Sequence, residues 1–124
     1  MLNIVAGWMA LLLGIVAGIV AGLWFHSDEW LGGYSGWQRR LMRLGHISFF
    51  GLGFINLAYG LTVRSLNMNT DPGVSSILLV IGAASMPIIC YGSAFFRPLR
   101  HLFAIPVLSV AGGIVIFLYQ LVTL

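Results

Sequence analysis

Several side chains in this sequence could bind a metal ion or a haem. His26, His46 and His101 flank long apolar stretches, and Cys90 and Met86 lie within one of them. Imidazole, thiolate and thioether groups are ligands that copper and haem iron take in proteins. Counted inward from the nearest arginines, Cys90 lies at a depth close to that of His46, and Met86 lies one helical turn deeper. One hypothesis is therefore a copper or haem site that combines His46 with His101, Cys90 or Met86, with His26 as a further candidate metal ligand.

Simpler roles for the same side chains stay open. The chain contains no paired His-x-x-x-His, no Cys-x-x-Cys and no Cys-x-x-Cys-His spacing, so no motif supports the metal or haem hypothesis. His46 could instead form a hydrogen bond with a neighbouring helix or a lipid headgroup. His26 and His101 could lie at the water interface, and a buried Cys or Met is common in helix packing.

Hydrolytic or transfer chemistry has little support in the sequence. The acidic residues are Asp28, Glu29 and Asp71, and all three fall in predicted loops. No Ser-His-Asp or paired-carboxylate arrangement is visible. Asp28 and Glu29 could pair with nearby arginines or complete a metal site with His26. The sequence therefore favours a non-enzymatic role without deciding the question.

The composition indicates that lipid surrounds most of this chain. Of its 124 residues, 60% are hydrophobic and 7% are charged, with a mean hydropathy of +1.01. A soluble domain carries about 25% charged residues, so these charges could not cover a globular surface. All six basic residues are arginines, and they lie in short segments between apolar runs, which excludes a basic face for nucleic acid. A single cysteine, Cys90, excludes an internal disulfide.

The spacing of the charges predicts an all-α polytopic membrane protein, a four-transmembrane-helix bundle with short loops. Each uncharged run reaches the roughly 20 residues that a helix needs to cross the hydrocarbon core. Helices are expected there because lipid offers no partner for an unpaired backbone amide. We predict one domain over residues 1–124, with spans at about 2–25, 43–64, 74–96 and 101–123.

The arginine distribution predicts the orientation of the chain. Segments 26–43 and 97–101 contain five arginines, whereas Arg64 is the one arginine predicted on the opposite side. By the positive-inside rule, both arginine-rich loops are cytoplasmic and both termini lie outside. The first run lacks the basic start and the small-residue cleavage site of a signal peptide, so we interpret it as a retained helix. The predicted location is the cell membrane, in bacteria the inner membrane.

Small and polar residues at helical spacing predict faces that pack against protein. The first span carries a ladder with four-residue spacing, made of Ala6, Ala10, Gly14, Gly18 and Gly22. The second carries Gly53, Asn56 and Gly60 on one face with His46. Small residues let helix backbones approach closely, and an intramembrane asparagine forms interhelical hydrogen bonds worth about 0.6–2 kcal/mol. Packing within one chain is the simplest interpretation.

Three functional hypotheses follow. The leading one is a non-enzymatic accessory or scaffold subunit of a larger membrane assembly, whose partners are the lipid bilayer and a membrane protein or a second copy. The second is the small haem- or copper-binding redox protein built on His46. The third is a small oligomeric transporter or channel, in which Asn56 and a helix kink at Pro87 line a path. No nucleic-acid partner is expected.

Overall fold

The chain folds into four long helices, as the computed structural model of residues 1–68 and 73–124 shows. All four are long and apolar enough to cross a membrane, which confirms the predicted helical, multi-pass architecture. They are α1 (Leu2–Gly22), α2 (Trp37–Ser65), α3 (Val74–Phe95) and α4 (Ala104–Val122). Short 3₁₀ helices, Trp30–Gly32 and Arg97–Phe103, lie before α2 and α4. The predicted loop acid Asp71 lies outside the described residues.

Helix α2 begins earlier than the charge pattern predicts. It starts at Trp37, directly after the extended residue Gly36, whereas the predicted span starts at residue 43. Arg39, Arg40 and Arg43 therefore lie on the first turns of α2 and not in a loop. Long arginine side chains can reach the interface from a helix that already runs into the membrane, so the first arginine does not mark the end of the helix.

Prolines at the fourth helix lie where a missing amide hydrogen costs little. Pro98 is at the start of the 3₁₀ helix Arg97–Phe103, and Pro106 falls in the first turn of α4. The first amides of a helix have no partner within it, so proline is tolerated there. Helix α3, in contrast, continues through Pro87 from Val74 to Phe95.

The helices pack in chain order, and α3 is the central element. Helices α1, α2 and α3 all contact one another, whereas α4 packs along α3. Within the described ranges, α1 and α4 share no close backbone contact. The ring of Tyr59 on α2 reaches the ring of Phe117 on α4, with centroids 4.6 Å apart. The result is a three-helix core to which α4 is added on one side.

Glycines make the close contact between α1 and α2. A Cβ atom at Gly7 would lie 2.8 Å from the carbonyl oxygen of Gly53, and one at Gly53 would lie 3.2 Å from the Cβ of Ala10. Gly14 and Gly18 continue this contact surface against α2. Such a seam is how helices associate where the hydrophobic effect between them is absent.

The arginine-rich segments 26–43, which includes the first turns of α2, and 97–101 lie at the same end of the molecule, which we call the arginine end. The indole N–H of Trp37 donates to the carbonyl oxygen of Ser93 at 3.0 Å. The guanidinium of Arg97 lies 5.7 Å from the centre of the Trp37 ring. Helix α1 begins, and α4 ends, at the opposite end, which we call the terminal end.

Candidate functional site

A buried cluster of polar side chains joins α1, α2 and α3 near the terminal end. This polar junction consists of Asn3, Asn56 and Ser76, whose exposed fractions are 4%, 0% and 3%. The Nδ2 of Asn3 donates to Oδ1 of Asn56 at 2.8 Å and to the carbonyl oxygen of Ser76 at 3.2 Å. The hydroxyl of Ser76 donates in turn to Oδ1 of Asn3. One side chain from each helix therefore takes part.

The hydrogen bonds of Asn56 extend to the backbone on both sides. Its Nδ2 donates to the carbonyl oxygen of Leu52 at 2.9 Å, within α2, and to that of Leu79 on α3 at 3.2 Å. Each Nδ2 of the two asparagines thus has two acceptors, and each Oδ1 has a donor. A buried amide that lacked these partners would carry a substantial free-energy penalty, so the junction is internally satisfied.

A second set of polar contacts links the fourth helix to the others. The hydroxyl of Tyr59 on α2 lies 3.0 Å from Oγ of Ser75 on α3. Oγ of Ser75 donates to Oε1 of Gln120 on α4 at 3.4 Å. A cavity of about 210 Å³ borders Asn3, Tyr59 and Ser76 at this end. The polar groups at the terminal end therefore hold all four helices in register.

A pocket with two arginines and a histidine occupies the opposite half of the molecule. This arginine pocket has a volume of about 110 Å³. Helix α2 supplies its basic side chains, α1 and the following segment supply one wall, and α3 supplies a tyrosine. Its lining residues are Gly18, Ala21, Phe25, Trp30, Arg39, Met42, Arg43, His46 and Tyr91.

Arg39 is the most deeply buried charge in this pocket. Its side chain is only 5% exposed. The guanidinium donates to the carbonyl oxygens of Phe25, Ser27 and Asp28 across 3.4–3.5 Å, which are long hydrogen bonds. Rings surround it, with centroids at 5.4 Å for Phe25 and 5.6 Å for Trp30. Its Nε is buried and has no hydrogen-bond partner within the described residues.

Arg43 and His46 follow Arg39 along the same face of α2. Arg43 donates to the carbonyl oxygen of Tyr34 at 2.8 Å and lies over that ring at 4.0 Å. The imidazole of His46 packs edge-on against Phe50, with centroids 5.3 Å apart, and contacts α1 at Gly18. Its Nδ1 is buried and lacks a hydrogen-bond partner in the part of the chain that the structure describes.

The candidate metal ligands do not form one cluster. In residues 1–68 and 73–124, no three His, Cys, Asp or Glu side chains lie close enough to hold a metal ion. His26 and His101 are exposed near the arginine end. Cys90 is completely buried against Gly45 of α2, and Met86 is half-buried on α3. His46 faces α1 instead.

The predicted packing residues occupy different environments. On α1, Ala10, Gly14 and Gly18 face α2. On α2, Gly53, Asn56 and Gly60 face α1, and Gly60 borders Asn3 and Ile4. The ends of the predicted ladder differ from its centre. Ala6 lines a groove between α1 and α3, and Gly22 is exposed, with no atom of another helix within 4 Å of where its Cβ would stand. The structure adds Asn3 and Gly7 to the α2-facing stripe of α1.

An apolar groove runs between α1 and α3, and Phe49 of α2 also lines it. It has a volume of about 670 Å³ and borders the arginine pocket at Tyr91, which lines both. The groove is lined by Ala6, Met9, Ala10, Leu13, Phe49, Val80, Ala83, Ala84, Pro87, Ile88 and Tyr91. Its small alanines leave the space that larger side chains would fill.

Sequence reasoning missed the inward role of three residues: Asn3, Ser76 and Arg39. Asn3 was detectable as a lone amide in an uncharged run, since lipid leaves such a group without a partner. The aromatic residues Phe25, Trp30 and Tyr34, which precede Arg39, were a second available signal, because arginine stacks on aromatic faces.

No protein-family model, curated protein or solved structure matches this chain.

Proposed function

We propose that this chain is a non-enzymatic accessory or scaffold subunit of a larger membrane assembly, bound to another membrane protein or to a second copy of itself. The observation that carries the proposal is how the chain uses its intramembrane polar groups. Asn3, Asn56 and Ser76 bind one another and backbone carbonyls while almost completely buried. Groups engaged in this way hold helices together and are not free to act on a substrate.

The position of α4 also supports the proposal. Only Pro106 and Gly113 are buried along α4, and Gly113 lies against Leu79 of α3. The rest of the helix is partly or fully exposed, including the small residue Ala111 in mid-span. Gly51 of α2 is likewise exposed, with no other atom where its Cβ would stand. A partner helix could approach closely at such positions.

The finer location is part of the same proposal. We place the chain in the cell membrane, the inner membrane of a bacterium, with segments 26–43 and 97–101 in the cytoplasm and both termini outside. The support is that both arginine-rich connections lie at one end, where Trp37 contacts Ser93 and Arg97. Five arginines lie at one end and Arg64 lies near the other. By the positive-inside rule, the end with more arginines is the cytoplasmic one.

Photo-crosslinking followed by purification tests the proposal. A photoreactive residue at Ala111 should yield an adduct of one defined mass in the native membrane, and the same partner should copurify stoichiometrically in mild detergent. A photoreactive residue at Thr123, exposed at the end of α4, is the matched control and should yield little adduct. A chain that purifies as a monomer, with no adduct at Ala111, would contradict the proposal.

The haem or copper alternative rests on His46. The neighbours of its ring are Gly18 and Phe50, and Cys90 packs against Gly45, which lies about 100° around α2 from His46. A second ligand would therefore require a rearrangement of side chains. A visible absorption spectrum and a metal analysis of the purified chain test this alternative, and a Soret band or stoichiometric copper would replace the scaffold proposal.

The transporter alternative would require the polar junction to open, because Asn56 is completely buried and its amide is fully hydrogen-bonded. Ion or solute flux into liposomes tests it. If no flux is observed, or if flux is unchanged in Asn56→Leu and His46→Leu variants, these residues do not form a transport path.

A further inference from the structure

We propose that the arginine pocket and the adjoining apolar groove form one binding site for a single anionic phospholipid. The phosphate lies between Arg39, Arg43 and His46, and one acyl chain lies in the groove between α1 and α3. This inference goes beyond the scaffold function and does not depend on it.

Two side chains that line the pocket, Arg39 and His46, each contain a buried nitrogen without a hydrogen-bond partner among the described residues. Arg39 is 5% exposed, its Nε has no partner within the described residues, and its other bonds reach carbonyls at 3.4–3.5 Å. Nδ1 of His46, on the same pocket, also has no partner among those residues. Burying a guanidinium is costly unless its charge and its N–H groups are compensated, and guanidinium binds phosphate oxygens in paired geometry. The carbonyl oxygens around Arg39 carry no full negative charge and leave its Nε unpartnered, so an anion would compensate this side chain better.

The basic and the apolar parts of the proposed site share one surface of α2. Arg39, Arg43, His46 and Phe49 follow one another at spacings of three and four residues, so they form one stripe along α2. Arg39, Arg43 and His46 line the pocket, Phe49 lines the groove, and Tyr91 of α3 lines both. A ligand that fits both parts must be anionic at one end and apolar along the rest.

The groove has the length and the position expected for part of an acyl chain. Along α1 the groove extends from Leu13 to Ala6, a distance of roughly 10 Å at 1.5 Å per residue. Beyond Ala6, towards the terminal end, Asn3 and Ser76 hold α1 and α3 together. The arginine pocket lies beside Trp30, and Trp marks the headgroup region of a bilayer. This geometry fits part of an acyl chain that enters from the lipid leaflet at the arginine end.

The size of the pocket favours a phosphodiester over a larger anionic group. A volume of about 110 Å³ accommodates one phosphate group but not a bulkier anionic group. The rest of the lipid headgroup would extend past the exposed Tyr34 into water. A free phosphate ion would use the pocket and leave the groove empty. The pocket and the groove lie side by side and share the lining residue Tyr91, which is the reason to assign a lipid.

Native mass spectrometry of the full chain tests the proposal. The protein is released from detergent with phosphatidylglycerol or phosphatidylcholine of identical acyl chains, and the bound fraction is measured against lipid concentration. We expect one phosphatidylglycerol to bind at least about fivefold more tightly than phosphatidylcholine, the effect of one arginine near an anionic lipid. Equal binding of the two lipids would overturn the proposal.

Matched variants locate the site. Arg39→Gln and Arg43→Gln should each reduce the preference for phosphatidylglycerol by about fivefold, whereas Arg40→Gln, an exposed neighbour that does not line the pocket, should leave it unchanged. Arg43→Gln decides the matter if Arg39→Gln fails to fold. A similar loss in all three variants would mean diffuse attraction to the basic end and would overturn the specific site.

Two further experiments distinguish binding of a lipid from binding of a free anion. Ala84→Phe fills the groove and should weaken binding of both lipids, whereas Ala58→Phe, at an exposed position of α2 that lines neither the groove nor the pocket, should not. Millimolar inorganic phosphate should not displace the lipid. If phosphate competes and Ala84→Phe has no effect, the pocket binds a small anion and the lipid assignment is wrong.

Discussion

Asn3, in the first turn of α1, donates a 2.8 Å hydrogen bond to Asn56 of α2 inside the apolar region. The residues are 53 positions apart in the chain, and both side chains are almost completely buried. Because the Asn3 amide also binds Ser76 of α3, this contact fixes the relative heights of three helices.

Coupling between Asn3 and Asn56 should be measurable. Asn3→Ala and Asn56→Ala should each destabilise the fold, and a double-mutant cycle should yield a coupling free energy of about 0.6–1.7 kcal/mol. Equilibrium unfolding in bicelles measures both quantities. Ser85→Ala is the control, since the hydroxyl of Ser85 donates to the Ile81 carbonyl oxygen of its own helix and therefore does not join two helices. A coupling energy near zero would show that the two amides do not act together.

Adding one methyl group should distinguish Gly7 from Gly51. In Gly7→Ala the new Cβ would lie 2.5 Å from Cγ of Leu57 and 2.8 Å from the Gly53 carbonyl oxygen, closer than atoms can pack, so α1 must move away from α2. We expect a destabilisation of about 1–3 kcal/mol. Gly51→Ala meets no atom within 4 Å and should be neutral or slightly stabilising. Thermal unfolding in the same detergent checks both, and equal midpoints for the two variants would contradict the packing seam.

Removing the hydroxyl of Tyr59 should loosen α4. Tyr59→Phe keeps the ring contact with Phe117 but removes the 3.0 Å contact with Ser75, which bonds Gln120. We expect a loss of about 0.5–1.5 kcal/mol and faster hydrogen exchange confined to α4. Tyr119→Phe is the control because Tyr119 is exposed. Faster exchange in all four helices would indicate a general effect on the fold instead.

Cysteine labelling should establish the orientation. In a Cys90→Ser background, cysteines introduced at the exposed residues Ser35 and Thr123 report on the arginine end and the terminal end. A membrane-impermeant maleimide added to intact cells should label Thr123→Cys, and it should label Ser35→Cys only after permeabilisation. The reverse pattern would show that the arginine asymmetry does not direct insertion of this chain.

The charge pattern was sufficient to predict the number of helices and most of their bounds. Predicted spans starting at residues 2 and 74 coincide with the starts of α1 and α3. The prediction failed at the start of α2, where three arginines lie on the helix after Trp37. A charged group marks the depth at which a side chain reaches water. Because an arginine side chain is long and flexible, its Cα can lie within the helix while its guanidinium reaches the interface.

The candidate sites could be predicted only in part. The sequence indicated that Asn56 faces protein, and the structure shows its partners to be Asn3 and the backbone of Leu79. Helical periodicity assigns residues to a face of their own helix. It contains no information on which face of another helix lies opposite or at what height, so the pairing of Asn3 with Asn56 was not available from it.

The sequence by itself determined that lipid is the main solvent, that the chain crosses it as four helices, and that the arginine-rich connections share one end. Those properties follow from the free-energy cost of placing charges and unpaired amides in hydrocarbon, which acts on each segment separately. Only the tertiary structure decided that Arg39 turns inward beneath Phe25 and Trp30, and that α1 and α3 separate to form a groove. Those features depend on the relative rotation and height of several helices, which are set by packing among all of them at once.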